Sequence, residues 1–194
     1  MNSKIVNLLK NGGVGVMPTD TIYGIVGSAL LPQTVEKIYQ LRKRSLNKPF
    51  IILICSLNDL NHFNIKLSAA QKKFLEKIWP NPLSVVLSCQ DENFKYLHRG
   101  TNSLAFRLPK DKKLLELLKK VGPLVAPSAN IAGEKPAANI NEAKKYFSDR
   151  VDFYYEVARS PYLDNGHIPS NASTLVELGK DGSYKIIRQG QFKL

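Results

Sequence analysis

The sequence predicts an α/β fold in a single domain that spans residues 1–194. Short runs rich in β-branched residues alternate along the chain with segments whose apolar residues recur at helical spacing, a pattern typical of strands alternating with helices. Hydrophobic residues make up 43% of the 194 residues, which is enough for one full-sized core. No internal repeat or low-complexity tract interrupts this pattern, so the sequence indicates one domain.

The first half of the chain contains two predicted strands and two predicted helices. A strand at 14–18 follows a pair of glycines, and the apolar run at 50–55 is typical of a strand that is covered on both faces. A helix is predicted over 32–42, where apolar residues recur at helical spacing. A second helix is predicted to begin after Ser68, a favourable N-cap, and to end before Pro80.

The second half of the chain contributes most of the predicted strands. An amphipathic helix over 110–122 ends at a glycine, and a short capped helix is predicted over 139–149. Strands are predicted at 83–89, 103–109, 123–127, 151–157, 173–178 and 184–190. Ala158–Asn171 is rich in turn-forming residues, and we expect this segment to be a loop that closes over a site.

The charge balance indicates an anionic partner. The chain has 28 Lys+Arg against 16 Asp+Glu, which gives a formal net charge of +12. A surplus of this size is typical of proteins that bind nucleic acid, nucleotide phosphates or an anionic membrane surface. The alternative is a surface of solvated lysines without a specific partner.

The expected location is the cytoplasm, with no membrane partner. The two cysteines, Cys55 and Cys89, lie in apolar runs, which favours buried free thiols in a reducing compartment over a disulfide. The first residues lack the apolar region and cleavage site of a signal peptide. No apolar run approaches the roughly 18 residues that are needed to cross a bilayer.

Polar residues cluster where the predicted strands end, and open α/β sheets bind their ligands at strand ends. The cluster combines hydroxyl groups and cations, which suit a phosphate-bearing anion. Its members are Thr19, Thr21, Arg44, Lys48, Arg107, Ser128, Ser173 and Arg188. Arg107 lies in an otherwise apolar strand, so it needs either a ligand or a buried acidic partner. The two threonines also suit an ordinary turn, and Ser128 also suits a helix N-cap.

Several common site types are absent from the sequence. There is no GxxxxGK[ST] phosphate-binding loop, no GxGxxG fingerprint and no GxSxG nucleophile elbow. His62, His98 and His167 are far apart and show no metal-binding spacing. The sequence therefore predicts neither a catalytic nucleophile nor a metal ion held by protein side chains.

Seven motifs in order resemble those of the YrdC family, the threonylcarbamoyl-AMP synthases. The motifs are "PTDTIYG", "RKRSLNKP", "WPNPLSVVL", "LAFRLP", "PLVAPSANIAG", "STLVEL" and "IIRQG". The resemblance covers the chain from about Val14 to Gly190, and its most specific part is "PTDTIYG" together with "APSAN". It implies a twisted mixed sheet with flanking helices and a basic concave cleft.

The resemblance also implies an activity. Family members form L-threonylcarbamoyladenylate and pyrophosphate from L-threonine, bicarbonate and ATP, and they use Mg²⁺ with the nucleotide. The product serves the t6A modification of tRNA. The implied partners are therefore the three substrates, a threonylcarbamoyl-transferase machinery and tRNA.

Site residues carry over from the family motif by motif. ATP-binding residues are expected at Arg42, Arg44, Lys48, Ser103, Asn130 and Arg188. Threonine-binding residues are expected at Thr21, Arg107, Ser128 and Ser173. One departure is Leu53, which stands where longer members have a histidine that contacts threonine. The chemistry needs positioned charge, so no catalytic side chain is expected.

Three other functions remain open from the sequence, one of which is a ribosome-assembly or other interaction protein without a catalytic site. A non-catalytic protein that binds double-stranded RNA or tRNA would also use a basic concave face. Such a protein has no need for Arg107 inside a strand or for the hydroxyl of the "SAN" motif. A carbamoyl-transfer module of the kind found in hydrogenase maturation is a further alternative, although those modules belong to larger chains with zinc-finger motifs that this sequence lacks.

Overall fold

The structure is a computed structural model that describes residues 3–45, 48–156 and 172–194. Its α-helices are α1 (Ser3–Lys10), α2 (Pro32–Arg42), α3 (Ala69–Ile78), α4 (Lys95–His98), α5 (Lys112–Val121) and α6 (Ile140–Phe147). Its strands are β1 (Gly15–Pro18), β2 (Tyr23–Ser28), β3 (Ile51–Leu53), β4 (Leu83–Ser88), β5 (Ser103–Arg107), β6 (Leu124–Val125), β7 (Phe153–Tyr154), β8 (Thr174–Leu178) and β9 (Tyr184–Arg188). Two 3₁₀ helices span Leu57–Phe63 and Glu92–Phe94. The loop predicted at Ala158–Asn171 lies outside the described residues.

All the strands that the structure describes belong to one mixed sheet, in the order β7-β1-β2-β6-β3-β5-β4-β8-β9. Parallel pairs are β1 with β7, β3 with β5, and β4 with β8. The other neighbours are antiparallel. The predicted mixed sheet with flanking helices is therefore confirmed.

Two apolar clusters cover the two faces of the sheet. The larger one joins α2, α3 and α6 to inward-facing strand residues such as Ile52 and Phe106. The smaller one packs α1 and α5 against Leu53 and its neighbours on the opposite face. Leu53 pairs in register with Arg107, so both side chains emerge from this second face. Since α1 and α5 cover only part of that face, strands β5, β4 and β8 are left to line clefts.

The helices begin where the sequence supplies a cap. Ser68 forms a capping box with Gln71 at the start of α3, because each side chain accepts the other residue's backbone N–H. Asp111 and Asn139 accept backbone N–H bonds at the starts of α5 and α6. These contacts agree with the predicted helix starts, and α2 has the predicted bounds.

The predicted strands are present but shorter, and several elements were missed. The missed elements are α1, β2, α4 and the two 3₁₀ helices. Two glycines interrupt the β-branched run of β2, which weakens its strand pattern. Gly27 is required there because a Cβ atom at this position would lie 2.4 Å from the Thr34 side chain of α2. The glycine that hides the strand thus lets the helix approach it.

Two further sequence expectations concern the cysteines and the membrane. Neither cysteine forms a disulfide, but Cys55 is only half-buried, whereas Cys89 is buried. Burial raises the pKa of both thiols, so both are protonated at neutral pH. Among the described residues, no helix has the length and apolar character needed to cross a bilayer.

Candidate active site

A cleft of about 320 Å³ opens on the second face of the sheet, where β5 ends. Its walls contain seven of the ten predicted site residues, and we call it the arginine cleft. The seven are Thr21, Arg42, Arg44, Arg107, Ser128, Ser173 and Arg188. Hydrophobic residues including Ile51, Ala105 and Leu175 form its floor. The sequence cluster at the strand ends thus corresponds to one concave surface.

Strand register accounts for part of this convergence. Leu175 of β8 pairs with Ser84 of β4 on one side and with Arg188 of β9 on the other. Arg107 stands at the end of β5, the neighbour of β4 on its other edge. Two arginines from strands that are far apart in the sequence therefore face the same cleft.

Arg107 has the buried acidic partner that the sequence left open, and it also faces the cleft. Its guanidinium is 4% exposed and lies 2.9 Å from Oδ1 of Asp20, whose side chain is 2% exposed. Its Nη2 also donates to the Thr19 hydroxyl at 3.4 Å. The same arginine lines the arginine cleft, so it combines a buried ion pair with a ligand-facing position.

The "PTDT" segment forms a turn that encloses Arg107. The Thr19 hydroxyl donates to the Ile22 carbonyl at 2.7 Å and accepts the Thr21 N–H at 3.2 Å. Thr19 is therefore a turn residue. Thr21 is 2% exposed, and its hydroxyl lies 3.2 Å from that of Thr19 at the cleft wall. The turn thus brings a hydroxyl and a carboxylate to the same guanidinium nitrogen, Nη2 of Arg107.

Arg42 holds the "SAN" segment in place. Its Nε donates to the Asn130 carbonyl at 3.0 Å, and its Nη2 donates to the hydroxyl of Ser128 and to Oδ1 of Asn130 at 3.1 and 3.0 Å. The residue is 2% exposed. Burial, and then the positive charge of Arg44, lower the pKa of Arg42 to about 10, so it stays charged at neutral pH. Ser128 is not a helix N-cap, because the next helix begins at Ile140.

A second hydrogen-bond network connects Ser173, Ser84 and Arg188. The two serine hydroxyls lie 2.8 Å apart, and both residues are at most 1% exposed. Arg188 donates from Nη2 to the Ser173 carbonyl at 2.8 Å and lies 3.4 Å from its hydroxyl. The network fixes the Ser173 hydroxyl at the cleft wall and holds one edge of the Arg188 guanidinium against Ser173.

Four arginines line the described walls of the arginine cleft. Arg107 is compensated by Asp20, whereas no ion pair in the described part of the chain includes Arg42, Arg44 or Arg188. Burial, followed by the charges of Arg107 and Arg44, lowers the pKa of Arg188. Burial also lowers the pKa of Arg44. Arginine nevertheless stays protonated at neutral pH. The cleft therefore repels cations and favours an anion with several negative oxygens.

Three predicted site residues lie outside the walls of this cleft. Lys48 is exposed, and its carbonyl accepts hydrogen bonds from Tyr39 and Arg44. Asn130 is 5% exposed and uses its amide to close the loop that follows it. Ser103 stands at the other end of β5, four residues before Arg107, which is roughly 13 Å along a strand. It lines a second cleft of about 560 Å³.

The described residues offer no cluster of three or more histidine, cysteine, aspartate or glutamate side chains that could hold a metal ion. The walls of the arginine cleft contain no carboxylate among these residues. Leu53 is fully buried in the apolar cluster that contains α5, so the position of the family's histidine does not line the cleft here.

Comparison with family models matches residues 7–190 to one model, Sua5/YciO/YrdC, described as telomere recombination. The chain belongs to the Sua5/YciO/YrdC family. The membership inferred from the seven motifs is therefore confirmed. That description names a cellular process and no chemical reaction.

One relative and two solved structures support the assignment of this chain to the Sua5/YciO/YrdC family. The threonylcarbamoyl-AMP synthase of Nitrosococcus oceani is 28% identical over 147 residues, which cover 75% of this chain and 80% of the relative. The P. abyssi Sua5 structure complexed with L-threonine has a TM-score of 0.83 and 23% identity over 96% of this chain and 53% of that chain. E. coli YciO has a TM-score of 0.81 and 19% identity over 98% of this chain and 89% of its own. The two structures show that the fold is shared.

Sequence reasoning missed three residues that shape this Sua5/YciO/YrdC site. Asp20 lies inside the quoted "PTDT" motif but was assigned no role. Ser84 and Tyr39 lie in a strand and a helix whose patterns indicate only core packing. The Asp20 signal was available, because an arginine in an apolar strand requires a buried acid or a ligand.

Proposed function

We propose that this chain is an L-threonylcarbamoyladenylate synthase, which forms threonylcarbamoyl-AMP and pyrophosphate from L-threonine, bicarbonate and ATP. The observation that carries the proposal is the convergence of Arg44, Arg107 and Arg188 on one cleft. Hydroxyl groups of three other predicted site residues share that cleft. The name of the N. oceani relative supports the same activity and does not favour a protein that only binds RNA.

The triphosphate of ATP is assigned to the part of the cleft formed by Arg44 and Arg188. Both guanidinium groups are without an acidic partner among the described residues, so phosphate oxygens would compensate them. Charge-assisted hydrogen bonds of this kind are roughly twice as strong as neutral ones. Lys48 adds a third cation nearby in the sequence, and its role as an ATP ligand remains a prediction.

Threonine is assigned to the part of the cleft around Arg107. The guanidinium suits a carboxylate in a two-pronged geometry. Hydroxyl groups of Thr21, Ser128 and Ser173 line the same cleft and suit the amine and hydroxyl of the amino acid. Recognition of the threonine methyl group in preference to serine would contribute only about 1–3 kcal/mol.

The reaction requires positioning and charge stabilisation. Bicarbonate loses hydroxide to give CO₂, and the threonine amine attacks its carbon to form a C–N bond. The proton lost from the amine combines with the hydroxide as water, which leaves a carbamate. A carbamate oxygen then forms a bond to the α-phosphorus of ATP, while the bond from that phosphorus to the pyrophosphate oxygen breaks. Charge accumulates on the departing oxygens, where Arg44 and Arg188 would stabilise it. Holding the two reactants in line supplies the remaining advantage.

Mg²⁺ fits this scheme as part of the MgATP substrate. Magnesium usually combines one or two carboxylates with substrate phosphates. The described walls of the arginine cleft offer cations and hydroxyls without a carboxylate, so the phosphates themselves would carry the ion into the cleft. A threonylcarbamoyl transferase that modifies tRNA is the proposed consumer of the adenylate.

The test is pyrophosphate release by the purified protein from MgATP, with and without L-threonine and bicarbonate. We expect release only when both are present, and mass spectrometry should detect threonylcarbamoyl-AMP. An Arg44→Ala variant should raise the KM for ATP, with Lys120→Ala as a matched control on the exposed side of α5. Release that does not depend on threonine, or no release at all, would contradict the proposal.

A further inference from the structure

Four side chains form a continuous stack from α4 to the arginine cleft. The Arg99 guanidinium lies 4.0 Å from the centre of the Tyr39 ring. Tyr39 stacks on Phe50 with ring centres 4.0 Å apart and an interplanar angle of 22°. The Arg44 guanidinium lies 5.7 Å from the centre of the Phe50 ring. Cations over aromatic faces are attracted by the negative ring face, so the stack attracts Arg44 toward Phe50.

Hydrogen bonds tie the same residues together a second time. The Tyr39 hydroxyl donates to the Lys48 carbonyl at 3.0 Å, and Nε of Arg44 donates to that carbonyl at 3.2 Å. The Arg44 backbone N–H also donates to the Tyr39 carbonyl at 3.2 Å, where α2 ends at a left-handed Lys43. Tyr39 therefore contacts Arg44 through the backbone, through a shared acceptor and through Phe50.

The geometry points to Tyr39 as a positioning residue for Arg44. The Tyr39 hydroxyl holds the Lys48 carbonyl in place, and this carbonyl in turn sets the direction of the Arg44 guanidinium. This inference rests on the proposed function in one respect, the binding of phosphate groups by Arg44. With Nε directed to the carbonyl, the two Nη groups are left for an anion in the cleft. Burial raises the pKa of Tyr39, so its hydroxyl remains a donor at neutral pH.

A purely structural role for the Tyr39 hydroxyl makes a different prediction. In Tyr39→Phe the ring and both of its stacking contacts remain, and the Lys48 carbonyl keeps its bond from Arg44. No buried polar group is then left without a partner, so a structural role alone would leave phosphate binding unchanged. A positioning role weakens it, because the carbonyl and the guanidinium can then move together.

Tyr96→Phe is the matched control. The Tyr96 hydroxyl also donates from a partly buried site to a backbone carbonyl, that of Ala29, at 2.9 Å. Tyr96 does not line either cleft among the described residues. Both substitutions remove one oxygen and one hydrogen bond, and only Tyr39 is connected to Arg44.

The experiment is calorimetric titration of inorganic pyrophosphate into the wild type, Tyr39→Phe, Tyr96→Phe, Arg44→Ala and the double variant Tyr39→Phe/Arg44→Ala. We expect Tyr39→Phe to weaken binding about 2- to 10-fold, the effect of one hydrogen bond. Tyr96→Phe should bind like the wild type. The Tyr39→Phe substitution should have no further effect in the Arg44→Ala background, because its effect acts through that arginine.

The outcomes separate this inference from the proposed function. If Arg44→Ala weakens binding and Tyr39→Phe does not, or if both tyrosine variants weaken it equally, the positioning role is wrong and the cleft assignment stands. If the effects of Tyr39→Phe and Arg44→Ala are additive, Tyr39 acts by another route and the inference is also wrong. If the wild type does not bind pyrophosphate, or Arg44→Ala binds it normally, both proposals fail.

Discussion

Replacing Arg107 by glutamine tests the buried ion pair and the threonine assignment in one variant. Arg107→Gln keeps a polar side chain, which is two bonds shorter, and removes the charge that faces Asp20. We expect it to destabilise the fold and to abolish threonine-dependent pyrophosphate release. Binding of ATP should persist, since that part of the cleft belongs to other arginines.

The expected loss of stability follows from the burial of the pair. Both side chains are at most 4% exposed. Apart from the ion pair with Arg107, neither carboxylate oxygen of Asp20 has a hydrogen-bond partner among the described residues. Removing one member of such a buried pair leaves an uncompensated charge and costs about 3–5 kcal/mol. In a domain of this size each kcal/mol shifts the Tm by about 2–4 °C, so the Tm should fall by about 6–20 °C.

A second substitution separates the two effects. In Asp20→Asn/Arg107→Gln both charges are gone, so no uncompensated charge is left in the interior and most of the lost stability should return. Threonine-dependent pyrophosphate release should not return, because the arginine that is proposed to bind the threonine carboxylate is still missing. Urea unfolding measures stability, and the KM values for threonine and ATP measure function.

Two results would refute this reasoning. If the double variant is as unstable as Arg107→Gln, the stranded charge of Asp20 is not the source of the instability. If Arg107→Gln uses threonine with a near-normal KM, Arg107 does not bind the carboxylate, whatever its effect on the fold.

Two other predictions concern the buried hydroxyl of Ser84 and the partly exposed carboxylate of Asp152. Ser84→Ala removes the 2.8 Å partner of the Ser173 hydroxyl, so it should cost about 1–3 kcal/mol in urea unfolding and raise the KM for threonine but not for ATP. Unchanged values for both would contradict the network. Burial opposes ionisation of Asp152, but hydrogen bonds from Val14 and Lys37 outweigh it and lower its pKa. The difference in the free energy of unfolding between the wild type and Asp152→Asn should therefore be constant near neutral pH and shrink as the pH falls below 3.8, the ordinary pKa of an aspartate. A difference that does not change with pH would contradict this prediction.

Much of the site could be predicted because its residues lie at strand ends. Arg107 was predicted from local pattern alone, since an arginine in an apolar run needs a partner or a ligand. Its partner could not be selected by the pattern, because Asp20 lies 87 residues earlier and strand pairing brings the two together. Periodicity gives the face on which a side chain emerges, while the partner across the sheet depends on the order of the strands.

Two other residues show where local reasoning stops. Ser103 and Arg107 have the same parity along β5, which places them on one face but at opposite ends of the strand. They consequently line different clefts. Arg42 and Arg44 are two residues apart, yet the left-handed turn at Lys43 separates them. Arg42 supports the "SAN" segment, whereas Arg44 faces the cleft without bonding to that segment.

The four arginines of the cleft differ in what each can still bind, and this difference argues for a division of labour. Arg42 donates three hydrogen bonds to the "SAN" segment, and Arg107 is already paired with Asp20. Arg44 and Arg188 donate to the Lys48 carbonyl and to Ser173 but have no acidic partner among the described residues. Burial, and then repulsion by Arg107 and Arg44, lower the pKa of Arg188. A triphosphate that binds between Arg44 and Arg188 would relieve this repulsion, whereas a single carboxylate is enough for Arg107. The distribution of charge therefore favours ATP and threonine at separate ends of one cleft, which is the arrangement that an attack by a carbamate oxygen on the α-phosphorus requires.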